Sequence, residues 1–396
     1  MAADSFKNNK GISMKIAFYS NYLNHHQTLV SDELYKLTNR NYYFIETTPI
    51  PEFRREIGYK DYRTKPYCIQ AWKSEENLEK ARKICYDADV VLFIPSTSHY
   101  GVSAAKKGKI CFEVGERWLK RGFINFLSPR LLKSIWQYYK QFRNRDVFRL
   151  CNSAYAASDL YKMQTYKNKC YKWGYFTKVD DCFDIETSRN NNTSSNVTIR
   201  IMWCARFLKI KHPELPVKMA ASLKEKGYTL QLDMYGSGPE EEATRTLIKE
   251  LSVEDVVKMH GSMPNENILQ AMREHDIFLF TSDKHEGWGA VSNEAMSNGC
   301  VLVGSNKIGS IPFLVKDGEN GCIFKSEDVC SLIDRVEWLI NNPAERKRLS
   351  INGYYTMKET WSPANAAKSL LQLIDDIKNG KDTSIKEGPC SKALPI

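Results

Sequence analysis

No stretch of this sequence approaches the ~20 consecutive apolar residues of a membrane-spanning helix, and the opening segment MAADSFKNNKGIS holds no apolar run of the length a signal peptide needs. A cytosolic chain is the expectation. Paired cysteines are also missing. The 11 cysteines, an odd number, stand singly from Cys68 to Cys390, with no CxxC pair and no Cys/His spacing of a zinc site. They read as reduced, mostly buried small hydrophobes. A GxxxxGK(S/T) phosphate loop is absent too, as are helix-turn-helix, RNA-recognition and zinc-finger patterns, so nucleic acid is not the expected partner of the net charge of +10.

What remains is the composition of a folded, water-soluble protein, 42% hydrophobic and 26% charged. At 396 residues the chain is long enough for two cores. Its charge is uneven: residues 1–196 carry 32 Lys/Arg against 20 Asp/Glu, residues 197–378 carry 22 against 25, and residues 379–396 carry 3 against 2. The halves differ in sign, which describes their surfaces and not their folds.

Apolar periodicity predicts two repeats of one design. The strand MKIAFYS (14–20) runs into a helical segment bearing Leu29, Leu34 and Leu37, with further strands at 42–47 and 89–95 and a helix over 75–88 between them. After the polar stretch SRNNNTSSN (188–196), read as a linker, a second strand opens at 197–207. Strands at 229–236, 256–261, 276–282 and 301–305 then alternate with helices. This alternation predicts an α/β protein of two doubly wound parallel-sheet, Rossmann-like domains, 14–187 and 197–362. The expected remainder is a tail (1–13), a helix (363–378) and a disordered C-terminal tail (379–396).

Open parallel sheets bind ligands beyond the carboxyl ends of their strands, so the loops there are the places to search. After 276–282 comes DKHEGWGAVSNEAMSNG, with Glu286, Gly287, Trp288, Gly289 and Glu294. Glycines ahead of a helix let backbone N–H groups approach an anion, and two flanking carboxylates can grip sugar hydroxyls. The loop after the second opening strand places Arg206 and Lys211 together, a cationic pair suited to a departing diphosphate. The loop after 229–236 carries Gly236 and Gly238. Taken singly, each feature has an ordinary alternative: a turn, a solvated cation, a surface carboxylate.

Taken in order, Arg206, Lys211, GSGP (236–239), His260-Gly261, EGWGAVSNE (286–294) and NKIGSIPFLVKDGENG (306–321) resemble the C-terminal domain of the family 4 retaining glycosyltransferases over roughly residues 197–360. NHHQ (24–27), GER (115–117) and KWGYF (172–176) resemble segments of bacterial capsule and cell-surface polysaccharide glycosyltransferases. The resemblance implies the two-domain GT-B architecture, with its domains facing a cleft. It implies that Arg206 and Lys211 hold the donor diphosphate, that Glu286 meets the donor sugar, that Glu294 holds the ribose hydroxyls, and that the backbone of Gly287, Trp288 and Gly289 lies at the phosphates and sugar. Gly236, Gly238 and His260 complete the implied donor site. The family's usual glycine pair in the first N-terminal loop is replaced by Asn24, His25, His26 and Gln27.

His25 and His26 stand at a helix start where a neutral imidazole can donate to a phosphate or an acceptor oxygen, and are counted with Glu286, Arg206 and Lys211 as catalytic candidates; the alternative is that one caps and the other packs. His99 follows the strand 89–95 and is either a sugar contact or part of a plain turn. Asp180-Asp181 lacks a third ligand at metal spacing. No metal and no other cofactor is expected, since Arg206 and Lys211 supply the positive field. Residues 106–149 hold 12 Lys/Arg and 3 Asp/Glu interleaved with Trp118, Phe123, Phe126, Leu127, Leu131, Leu132, Ile135, Trp136, Tyr138, Tyr139 and Phe142. That mixture suits an anionic membrane surface, or else a helical pair with one solvated basic face. The expected function is transfer of a sugar from a nucleotide sugar to a polysaccharide, glycolipid or lipid-linked acceptor with retained configuration, in a cytoplasmic enzyme peripheral to the membrane. A sugar-nucleotide epimerase or hydrolase of the same architecture is the alternative.

Overall fold

A computed structural model describes residues 14–52, 61–120, 122–190 and 198–396, with the side chains of Phe123, Phe126, Leu127 and Asn190 also outside the description. The expected N-terminal tail and residues 191–196 of the expected linker therefore lie outside the described residues.

The first unit runs β1 (Ile16–Ser20), α1 (His25–Leu37), β2 (Tyr42–Glu46), β3 (Cys68–Gln70), α2 (Glu75–Asp87), β4 (Val90–Phe93), α3 (Ser98–Lys106), β5 (Ile110–Gly115), α4 (Pro129–Gln137), β6 (Val147–Cys151), α5 (Ala156–Lys162) and β7 (Cys170–Lys172). Its seven strands are ordered β3-β2-β1-β4-β5-β6-β7. Neighbouring strands are parallel, with Ile16 opposite Tyr42 on one side and Val90 on the other. β1 and β4 are buried along their whole length, which is why they are continuous apolar runs and not alternating ones.

The second unit runs α6 (Ile185–Asn190), β8 (Ile199–Cys204), α7 (Glu214–Glu225), β9 (Leu230–Tyr235), α8 (Glu241–Glu250), β10 (Val257–Gly261), α9 (Asn265–Arg273), β11 (Ile277–Phe280), α10 (Val291–Ser297), β12 (Val301–Ser305), α11 (Ile311–Leu314), β13 (Cys322–Phe324), α12 (Val329–Asn341) and α13 (Pro343–Tyr355). Its six strands are ordered β10-β9-β8-β11-β12-β13. Alternate strand residues Ile201, Trp203, Leu232, Met234, Ile277, Leu279, Val301 and Val303 form one core with Val217 of α7 and Leu332, Val336 and Leu339 of α12. Both sheets reverse their winding direction at one place, between β1 and β4 and between β8 and β11, and such reversals open a crevice at the strands' carboxyl ends.

The units divide between Phe176 and Thr177, with Ser153–Tyr155 grouped in the second, rather than at the polar stretch 188–196. The reason lies in α6: Arg189 is buried and donates to the carbonyls of Arg273 and Asn298, which ties this helix to the second unit. The helix α14 (Pro363–Lys378) returns to the first unit, packing its Ala366, Ala367, Leu370, Leu373 and Ile374 stripe toward α1. Residues 379–396, expected to be disordered, are ordered here. They cover the edge of β7 through bonds from Lys172 N to Ser391 O (2.8 Å), Cys390 N to Lys172 O (2.7 Å) and Ala393 N to Cys170 O (3.0 Å). An edge strand offers its backbone groups to any extended segment, so a tail with few apolar residues can still be fixed.

The basic stretch also differs from expectation. It is not a helical pair, because it includes the strands β5 and β6. Arg149 is buried and paired with Glu113 at 2.6 Å, and Leu131, Tyr138 and Phe142 are core residues. Arg121 and the side chains of Phe123, Phe126 and Leu127 lie outside the described residues.

Candidate functional site

In the second unit the loops after β8 and β11 meet at the switch point. Lys211, at the end of a short turn (Lys209–Lys211), forms an ion pair with Glu286 of the β11 loop, and both side chains are largely buried. The turn is held in place by three bonds. Asp283 N donates to Ile210 O at 3.0 Å, Thr281 Oγ1 donates to Lys211 O at 2.6 Å, and Trp203 Nε1 donates to Thr281 Oγ1 at 2.9 Å. Arg206 sits on the same β8 loop, exposed, and among the described residues its guanidinium has no hydrogen-bond or ion-pair partner. One cation of the expected pair is thus already matched to a carboxylate, and the other is left to meet a ligand's charge.

The GSG segment after β9 explains its glycines. Gly236 has φ +126, and a Cβ there would run into the carbonyl of Ala205; a Cβ at Gly238 would likewise run into the backbone of Phe207. The β9 loop can therefore lie flat on the Arg206 loop, fixed by Phe207 N to Ser237 O at 2.9 Å and Glu240 N to Phe207 O at 3.0 Å. In the β11 loop Gly289 has φ +75 and a Cβ would strike the Phe280 ring. The Trp288 indole between the two glycines is buried, donating to Asn293 Oδ1 at 2.8 Å beside Trp361, so at Trp288 the backbone, not the ring, is what the loop can offer a ligand.

Glu294 lies on α10, where its Oε1 accepts from Asn265 Nδ2 at 3.2 Å. Burial raises its pKa against the lowering effect of that bond. Burial and the nearby Glu294 push the Cys204 thiol up to about 12, which disfavours the thiolate. His260 is committed elsewhere: its Nε2 donates to Asp233 at 2.5 Å, and its ring stacks on Tyr235 at 4.7 Å. Asp233 also accepts from His275 Nε2 at 3.0 Å and from Gln231. His275 Nδ1 stands 2.6 Å from the Ala271 carbonyl, which can only accept. Both of its ring nitrogens therefore face acceptors.

Among the described residues one trio, His212, Asp283 and Glu327, brings metal-capable atoms within 4.8 Å of one another. His212 Nδ1 is 2.8 Å from Glu214, and Nε2 is 3.6 Å from Asp283. The bond to Glu214 raises the His212 pKa, favouring the charged ring. Asp180 is an ion-pair partner of Arg273 at 2.8 Å.

In the first unit the three segments singled out in the sequence converge. Asn24 caps α1, its side chain accepting from the amides of His26 (3.0 Å) and Gln27 (3.3 Å), and its Nδ2 donates to Gln27 Oε1. Neither histidine is the cap. The His26 ring stacks on Tyr175 of the KWGYF segment at 4.9 Å, and Tyr175 donates to Glu116 of the GER segment at 3.3 Å. Burial, then the adjacent His25, push the His26 pKa down to about 3, and burial also lowers His25. Burial thus favours the neutral form of both rings. His99 opens α3 against Tyr100, and burial lowers its pKa as well. Sequence patterning missed Thr281, Trp203 and Asn265, which position Lys211 and Glu294 from other elements.

Residues 184–356 match the family described as Glycosyl transferases group 1. WcaL of Escherichia coli, named for colanic acid biosynthesis, is 30% identical over 143 residues, 35% of this chain and 35% of WcaL. AmsK of Erwinia amylovora, an amylovoran biosynthesis glycosyltransferase, is 30% identical over 139 residues, 34% of each chain. The chain thus spans about a third of the length of these curated relatives. Among solved structures, Anabaena HepE in complex with UDP superposes with a TM-score of 0.67 at 14% identity over 92% of this chain and 100% of HepE. Sucrose-phosphate synthase from Thermosynechococcus elongatus gives 0.65 at 17% over 93% and 100%. The chain has the GT-B fold, and its residues 184–356 are similar to the glycosyl transferases of group 1.

Proposed function

We propose that the chain transfers a sugar from a nucleoside diphosphate sugar, bound at the carboxyl ends of the second unit's strands, to an acceptor hydroxyl presented by the first unit, with retention of configuration and without a metal ion. The observation that carries this is the Lys211–Glu286 pair bridging the β8 and β11 loops at the switch point, with Arg206 on the same β8 loop and without a side-chain partner among the described residues. The UDP complex of HepE supports a nucleoside diphosphate donor. The names of WcaL and AmsK support a role in surface polysaccharide synthesis. Among the described residues no helix is long and apolar enough to cross a membrane.

In the reaction the bond from the anomeric carbon to the leaving phosphate oxygen breaks and a bond from that carbon to the acceptor oxygen forms on the same face. The acceptor proton passes to the departing phosphate, whose charge Arg206 and Lys211 hold. Glu286 accepts from the donor sugar while keeping Lys211 in place. The first unit's Glu116 is engaged by Tyr175 and Lys120, which favours a mechanism without a carboxylate base there.

The test is transfer by Lys211→Ala and Glu286→Ala, each expected to lose ~10²–10³ in rate. Near-wild-type turnover by a folded variant refutes the site. Proton NMR of the first product reads the anomeric coupling constant; an inverted linkage refutes retention and makes His25 or His26 the candidate base. A donor altered without any acceptor would indicate the epimerase instead.

A further inference from the structure

Three loops of the second unit meet beside the Lys211–Glu286 pair. His212 directly follows Lys211 on the β8 loop, Asp283 precedes Glu286 on the β11 loop, and Glu327 lies between β13 and α12. One metal-capable atom from each comes within 4.8 Å of the others. His212 Nδ1 is 2.8 Å from Glu214 Oε1, and because a carboxylate only accepts, Nδ1 carries a hydrogen. The other ring nitrogen, Nε2, is buried and has no hydrogen-bond partner. It faces Asp283 Oδ2 at 3.6 Å, too far for a hydrogen bond. Asp283 is oriented through its second oxygen, since Oδ1 accepts from the His285 amide at 2.8 Å and stands 3.0 Å from His285 Nδ1.

Charge and orphaned atoms point to the same occupant. Glu214, Asp283 and Glu327 surround one imidazole, while two cations nearby in the chain are engaged elsewhere, Lys211 by Glu286 and Lys325 by Asp328 at 3.3 Å. A proton on Nε2 would lessen the excess of negative charge but leave the 3.6 Å gap unbridged. Two atoms each ~2.0–2.1 Å from a tetrahedral metal stand ~3.3–3.4 Å apart, close to the separation seen here. Ser282 and Ser326, the residues just before Asp283 and Glu327, also have buried hydroxyls without a hydrogen-bond partner, and Ser282 is only 1% exposed. Buried orphans gathered in adjoining residues of two loops mark a place for an ion or polar ligand. His212 and Glu327 hold φ of +49 and +63, a strained backbone for residues with a Cβ and one that persists where the surroundings fix a functional geometry.

We propose that His212 Nε2, Asp283 Oδ2 and a carboxylate oxygen of Glu327 bind one divalent ion of the zinc type, with water as the fourth ligand and Glu214 holding the imidazole from behind. One ring nitrogen with two carboxylates suits zinc better than magnesium or calcium, which prefer all-oxygen sites. A carboxylate behind a ligating histidine fixes its tautomer and orientation. The ion takes no part in the transfer step, and the site does not rest on that reading. Its effect is mechanical: it ties the turn carrying Lys211 to the β11 and β13 loops, adding to the bond from Asp283 N to Ile210 O.

The full chain, cleared with EDTA and dialysed, is titrated with Zn²⁺ by calorimetry and melted with and without it. One ion per chain is expected, with a Tm rise of roughly 5–11 °C at a hundredfold excess over Kd. Mg²⁺ and Ca²⁺ at the same concentration should leave Tm unchanged. Glu214→Gln should weaken zinc binding ~10–100-fold, and His212→Gln should abolish it. Glu327→Gln changes an exposed side chain and should also weaken binding, so the test stays decisive if the His212 variant folds poorly. Hydrogen exchange at the amides of Lys211 and Asp283 should slow when zinc is added. Cys182→Ser with Cys330→Ser removes the exposed thiols among the described residues and should change nothing. Zinc binding that survives in the His212 and Glu327 variants, or that is lost with the thiols, overturns the site. Equal stabilisation by Mg²⁺ overturns the choice of ion, and unchanged exchange with zinc bound overturns the clamp.

Discussion

Thr281→Val tests whether Lys211, proposed to hold the departing phosphate, is positioned by a buried hydroxyl. Valine keeps the volume and branching of threonine, so packing at this buried site is preserved and only the hydroxyl is lost. Two groups are then orphaned: the Trp203 indole N–H, which donates to Thr281 at 2.9 Å, and the Lys211 carbonyl, which accepts from it at 2.6 Å. A buried donor left without an acceptor costs about 1–3 kcal/mol, and the orphaned carbonyl, with its second lone pair, costs less. A total of about 2–4 kcal/mol in a unit of this size lowers Tm by roughly 4–16 °C, taking about 2–4 °C per kcal/mol. Release of the Lys211 carbonyl also lets the turn drift, and a misplacement near 1 Å at a reacting centre costs up to ~10²-fold in rate. Calorimetry of the full chain and transfer kinetics are the assays. Thr281→Ser, which restores the hydroxyl, should recover most of both losses. If the valine variant melts within about 1 °C of wild type, about 0.5 kcal/mol at most, the hydroxyl bridges nothing and the positioning argument fails.

Glu294→Ala should raise the donor KM with kcat little changed, because a contact remote from the reacting carbon is similar in ground and transition states; a large fall in kcat at unchanged KM would contradict the role. Since burial raises its pKa, donor affinity should weaken on acidification at a higher pH than for an ordinary glutamate, and a pH-independent KM across that range would argue against it. Asp233→Asn should destabilise the second unit by about 3–5 kcal/mol by leaving an N–H of His275 or His260 facing another donor. Burial alone would raise the Asp233 pKa, but bonds from His275, His260 and Gln231 hold it below the usual carboxylate range. Its stabilisation is present above the unfolded value near ~3.9 and fades as pH falls through the lower folded value. The gap between wild type and variant in a pH series of melts should therefore be constant near neutrality and close only in strong acid; a gap closing near pH ~6, where an ordinary histidine titrates, would contradict this. Transfer should persist in excess EDTA, and strict metal dependence would instead point to His212, Asp283 and Glu327.

The parallel architecture was legible because β1, β4 and β11, buried along their whole length, are near-continuous apolar runs, and because each is followed by a helix at short range. The order of Arg206, Lys211, Glu286 and Glu294 was legible for a related reason: ligand loops follow strands, so a site assembled at one end of a sheet leaves its residues in strand order along the chain. Local sequence also carried the glycines of the β9 and β11 loops, whose positive φ admits little else.

Tertiary structure decided whatever depends on a partner distant in the chain. β5 and β6 escaped detection because Glu113 and Arg149 interrupt their apolar pattern, and each is tolerated in the interior only through the other, 36 positions away. The tail at 379–396 was read as disordered from its composition, yet its order comes from the backbone of β7, which no count of its own side chains can register. Spacing along a chain specifies which residues can share a face, but whether a charge is spent on a neighbour or kept for a ligand depends on which other elements the core brings alongside it.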